Sequence, residues 1–158
     1  MYKKILAAVD GSRASRLALD EAVKIARTSG ASVVAISVVE HAPQLVDVGA
    51  VYQGEEGASA AAIESATAAL EEAAERFAAC HVQGTTRAVD AYGESIAAVI
   101  ARVADEFEAE LIVMGTHGRQ GVRRVLLGSV AESLLRAADV PVLLVRHDAE
   151  AGKPVAEL

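Results

Sequence analysis

Gly115 and Gly118, followed nine residues later by Gly128 and Ser129, have the residue types and spacing of an anion cradle. Glycine lets a backbone turn tightly or approach a ligand without a Cβ in the way. A helix opening at Gly128-Ser129 would point free N–H groups and its positive dipole end at an anion. The Ser129 hydroxyl adds a further donor, and Arg119, Arg123 and Arg124 gather positive charge beside it. The matching chemistry is phosphate binding. A plainer reading stands beside it, with the glycines serving only turns and Ser129 forming a capping box with Glu132. His117 lies inside the stretch, as a phosphate contact or a solvated loop residue. A second loaded point is Asp10-Gly11-Ser12, where Asp10 either meets a ligand or caps the helix that follows. His41, His81 and His147 lack metal-ligand spacing.

These residues need a scaffold, and the chain alternates strand and helix patterns to supply one. Lys4–Val9 is an apolar strand that ends at Asp10. From Ser12 the period becomes helical, with Leu17, Ala18, Ala22, Ile25 and Ala26 on one face, Ser12 or Ser15 as cap and Gly30 as the stop. Ser32–Val39 is a β-branched strand buried on both sides. Residues 40–57 form a long loop, and Ala58–Ala79 is an Ala- and Glu-rich helix. Val82–Ala91 is a third strand, and Ile96–Phe107 a helix with Ile96, Val99, Ile100 and Val103 on its apolar face. Glu110–Met114 is the fourth strand, and it runs directly into the glycine stretch. A short helical turn is expected at 122–127, a last helix from Ser129 to about Ala138, and a fifth strand at Val140–Arg146. The expectation is an α/β fold, a doubly wound parallel sheet with helices on both faces. In such sheets ligands sit beyond the carboxyl ends of the strands, where the strand order reverses. One domain is expected over 1–147, with 148–158 a polar tail.

Composition narrows the functions. The 158 residues carry a formal net charge of −7, against a sequence-independent grip on nucleic acid or an anionic membrane surface. No apolar run reaches membrane-spanning length. The lone cysteine, Cys80, reads as a small buried hydrophobe and suits a reducing compartment, so the expected location is cytoplasmic. With aromatics at 3% and no Trp, the core must be built from Ala, Val, Leu and Ile.

Gly115-x-x-Gly118, nine residues, then Gly128-Ser129 resembles the glycine signature of ATP-binding universal stress proteins. The start YKKILAAVDGSRASRLAL, SVV at 37–39, LIVMGTHG at 111–118 and GSVAESLLRAADVPVLLVR at 128–146 resemble the same family, which thus covers nearly the whole chain. The resemblance implies an adenine-nucleotide alpha-hydrolase-like fold with sheet order 3-2-1-4-5. It also implies that ATP, ADP or AMP is bound by Asp10, Val38, Met114, Gly115, Gly118, Arg119, Gly128, Ser129 and Val130. In that reading Asp10 contacts the ribose or, indirectly, a Mg²⁺ on the phosphates. Val38 offers its backbone to adenine, and Val130 adds a backbone donor at the phosphates. The implied assembly is a homodimer through the C-terminal strand, working as a nucleotide-dependent stress-response module on a protein partner.

Two alternatives stay open. One is an enzyme, a slow ATPase or phosphotransferase. No base stands beside the cradle in the sequence, no second carboxylate accompanies Asp10, and the first strand is followed by neither D-x-D nor S-G-G-x-D-S. A P-loop and a standard dinucleotide fingerprint are both absent. The other alternative is a dimeric interaction module that works without nucleotide.

Overall fold

A computed structural model describes residues 1–40, 60–116 and 128–146. The expected loop at 40–57, the short helical turn at 122–127 and the tail lie almost wholly outside them. Five strands form a single parallel sheet: β1 (Lys4–Ala8), β2 (Ser32–Glu40), β3 (Gly84–Ala91), β4 (Leu111–Gly115) and β5 (Val142–Val145). Their order is β3-β2-β1-β4-β5. Ile5 sits beside Val33 on one side and Leu111 on the other, which fixes β1 at the centre. The chain therefore winds outward one way through β2 and β3, then returns to the other side of β1 for β4 and β5. The reversal falls between β1 and β4.

Side chains alternate across the sheet, so each central strand feeds two cores. Ile5, Ala7, Val33, Ala35, Leu111 and Val113 pack under α1 (Arg13–Ser29) and α2 (Ala60–Ala79). Leu6, Val34, Ile36, Ile112 and Met114 face α3 (Ile96–Phe107) and α4 (Ser129–Ala137). Both faces are covered, which explains why β1, β2 and β4 read as unbroken apolar runs.

The helices begin and end for local reasons. The Ser12 hydroxyl accepts from Ser15 N–H at 3.2 Å and caps α1, and the Gly30 N–H closes the helix on Ala26 O. Ser95 caps α3 through the Ala98 N–H at 3.1 Å. The buried face of α1 is rotated from the expected one. Leu19 and Val23 are buried beside Ala18, Ala22 and Ala26, while Leu17 and Ile25 are only half-buried. The helix lies across both β1 and β4, and a broad apolar stripe leaves its centre undetermined by periodicity alone.

β3 begins at Gly84, not Val82, because the Val82 N–H still bonds Phe77 O at the end of α2. β4 is shifted one residue along. Glu110 stays outside the strand and instead accepts from the Lys3 N–H at 2.7 Å with its carboxylate.

Candidate functional site

Every described helix begins at the carboxyl end of the sheet, because each follows a parallel strand. There, over the reversal between β1 and β4, lies a cleft of about 610 Å³. Asp10, Val38, Met114, Gly115, Gly128, Ser129 and Val130 all line it. Seven of the nine residues expected at the site thus come together from four separate segments. The other two, Gly118 and Arg119, lie outside the described residues, as do His117, Arg123 and Arg124.

Each part is held by a specific device. Beyond β1, Val9 still bonds the sheet through its N–H to Ile36 O at 2.8 Å. The chain then turns through Gly11, whose φ of 83° is strained for any residue with a Cβ. Asp10 is not the cap of α1, since Ser12 has that position. Its Oδ1 instead accepts from the Ser12 N–H at 2.8 Å, which fixes the carboxylate at the mouth of the turn. Ser15 completes the knot, its hydroxyl donating to Ser12 O at 3.0 Å and accepting from the Asp10 N–H at 3.2 Å.

Gly115 ends β4 directly beneath the start of α1. A Cβ there would stand 2.7 Å from Ala14 Cβ and 2.9 Å from Ala14 C. The glycine is needed for helix-to-strand approach as well as for access from the cleft. Thr116 follows, buried, with its N–H on Val145 O at 3.0 Å and its own carbonyl accepting from Gly128 N–H at 2.9 Å. That last bond brings the start of α4 back onto the end of β4.

The capping box expected at Ser129 does not form. Gly128 is the N-cap, in extended backbone, and no side chain caps the helix. Ser129 is the first helical residue and is exposed, while Glu132 pairs with Arg136 at 3.2 Å. The reason is the Gly128–Thr116 bond, which holds Gly128 extended and starts the helix one residue early. Gly128 O accepts from Glu132 N–H, so the N–H groups of Ser129, Val130 and Ala131 have no intrahelical acceptor. These three residues line the cleft. Unlike α1 and α3, α4 has no side-chain cap among the described residues, and its positive end lines the cleft.

The cleft also has apolar lining, with Val38 and Val39 of β2, Ile96 and Ile100 on the α3 side and Ala62 and Ala66 on the α2 side. Several lining residues carried no signal in the sequence. Thr116 was hidden as the residue after a strand, and Ser37 and Ser65 were hidden inside a strand and a helix. Only strand order shows that they meet. Among the described residues no group of three or more His, Cys, Asp or Glu side chains is clustered as a metal site would need. No described helix is long and apolar enough to cross a membrane.

The sequence model of the universal stress protein family matches residues 1–146. A universal stress protein of Methanocaldococcus jannaschii is 37% identical over 147 residues, covering 92% of this chain and 83% of the relative. The crystal structure of a universal stress family protein from Burkholderia pseudomallei superposes with a TM-score of 0.70 at 34% identity, covering 91% of this chain and 96% of its own. A universal stress protein crystallised in complex with cAMP superposes at 0.66 with 27% identity, over 91% of this chain and 97% of its own.

Proposed function

This chain belongs to the universal stress protein family, and on that premise we propose that its cleft binds an adenine nucleotide, ATP or its ADP and AMP products, as a regulatory ligand. The observation that carries the proposal is the convergence of Asp10, Val38, Met114, Gly115, Gly128, Ser129 and Val130 on one cavity at the strand reversal. The donor set suits the ligand. The uncapped start of α4 and the Ser129 hydroxyl take phosphate oxygens. The Asp10 carboxylate takes ribose hydroxyls, or a Mg²⁺ carried in on the phosphates. The apolar lining takes the base, with the Val38 backbone at its edge. Gly118 and Arg119 complete the phosphate side. A family relative solved with cAMP supports the same ligand class.

The role that follows is a switch within a stress response. Nucleotide orders the segment between Gly115 and Ser129 and thereby changes the surface offered to a protein partner. Residues 1–147 act as one domain in this reading, with 148–158 a tail beyond it. The half-exposed apolar strand β5 favours a homodimer, since an uncovered edge of Val142, Leu143, Leu144 and Val145 invites pairing. Cytoplasmic location accords with the lone Cys80.

Calorimetric titration with ATP and Mg²⁺ tests the proposal. The parent is expected to bind, and a folded Gly118→Val, Ser129→Ala double variant to lose binding. A folded, nucleotide-free parent that takes up no ATP, ADP or AMP would remove the ligand and leave the interaction-module reading.

A further inference from the structure

Ser37 is a serine in the middle of an apolar strand. It is 4% exposed, yet it lines the cleft and its hydroxyl makes no hydrogen bond with any other described residue. Among the described residues no sealed side-chain oxygen or nitrogen lacks a partner, so the Ser37 hydroxyl is not sealed but opens into the cleft. The buried hydroxyls near the turn after β1 follow that rule, Ser15 bonding twice. Covering such a hydroxyl with a ligand that offers it no partner is unfavourable. Ser37 therefore has the standing of a group whose partner arrives from the cleft.

Its place along the cleft says which part of a ligand it meets. β4 and the start of α4 hold the phosphate donors, β1 carries Asp10, and β2 carries Ser37. Adjacent strands lie about 4.8 Å apart, so β2 stands about 10 Å from β4. That distance is comparable to the span from the phosphate of a nucleoside monophosphate to the far edge of its base. The surroundings agree. Ser37 is flanked on its strand by Ile36 and Val38, and Val39 with Ala62 and Ala66 of α2 also line the cleft. A slot with apolar walls and few polar groups is what a planar base requires for orientation.

We infer that the Ser37 hydroxyl reads the base, accepting a hydrogen bond from the exocyclic 6-amino group of adenine. The inference rests on the nucleotide reading above and goes beyond it, because it makes one side chain of β2 the reader of the 6-amino group. The backbone of Val38 supplies contact, and Ser37 supplies the choice. A 6-oxo purine offers an acceptor to which the same hydroxyl can donate, whereas an unsubstituted purine places nothing there. Under the unsubstituted purine the hydroxyl is covered without a partner, and affinity falls accordingly.

The test is a titration of parent and Ser37→Ala proteins with AMP and with purine riboside 5′-monophosphate, which lacks the 6-amino group. The parent is expected to prefer AMP by about five- to tenfold, the value of one buried hydrogen bond. Ser37→Ala is expected to bind both ligands alike, at the level of the parent with the analogue. Without ligand, the variant is expected to melt at or above the parent temperature, because it loses no internal bond. A variant that keeps the full preference for AMP overturns the inference, as does a parent that binds both ligands equally well. Either result leaves the nucleotide reading intact. A parent that binds neither ligand removes both.

Discussion

Gly115 has two duties, and they make different demands. Its position beneath Ala14 is a matter of packing, since a Cβ would come within 2.7 Å of the Ala14 Cβ whether or not a ligand is present. Gly115→Ala is therefore expected to destabilise the empty protein by about 1–3 kcal/mol, the usual cost of overpacking a tight contact. Urea denaturation without nucleotide measures it. An unchanged midpoint would mean that α1 shifts freely and that the glycine serves only the cleft. Asp10 illustrates a related point. Its Oδ1 is committed to the Ser12 N–H, so the carboxylate reaches the cleft already oriented by its own turn.

At the level of elements, Glu110 fastens the start of the chain to the start of β4. Its carboxylate accepts from the Lys3 N–H at 2.7 Å and from the Lys4 N–H at 3.2 Å. The Lys3 N–H bond leads the forces that hold the carboxyl below its ordinary value of 4.5. A lowered folded-state value means that the contribution is present above the unfolded-state value and is lost as pH falls through the folded one. Parent protein is therefore expected to melt above Glu110→Gln at neutral pH, with the gap closing as pH drops below 4.5. Melting curves from neutral to acid conditions check it. A gap that is independent of pH would assign the effect to shape alone.

Elements are also where the sequence was most and least legible. β1, β2 and β4 were plain because burial on both faces leaves unbroken apolar runs. The α1 cap was narrowed to Ser12 or Ser15, and the bond from the Ser15 N–H selects Ser12. The α4 cap was misread, since Ser129 and Glu132 have the spacing of a capping box but a bond from Gly128 to distant Thr116 sets the start of the helix. The cleft was legible on its glycine side, where spacing is local. It was not legible at Ser37, Ser65 or Ile100, because their meeting depends on strand order and helix placement. Polarity alone could not distinguish Ser37 from any serine tolerated inside a strand.

For the whole molecule, the two edges of the sheet differ. β3 turns mostly exposed Thr85, Thr86 and Arg87 outward along one edge. β5 closes the other edge with four apolar residues, each only half-buried. Edge strands of the second kind favour pairing, and those of the first resist it. Sedimentation is expected to give a dimer for the parent and a monomer for Val145→Glu, with circular dichroism reporting retained folding. A parent that sediments as a monomer at all accessible concentrations would leave β5 without that role.

The bond between the Thr116 carbonyl and the Gly128 N–H has a consequence for design. It clasps the neck of the chain between those residues, and Thr116 is itself bonded to Val145. Whatever length of chain runs between them enters and leaves at the same point on the scaffold, and the entropy of closing it changes only slowly with length. The separation of these two anchors is therefore set by the scaffold and not by the chain between them, so an insertion there is expected to leave the sheet and the start of α4 where they are.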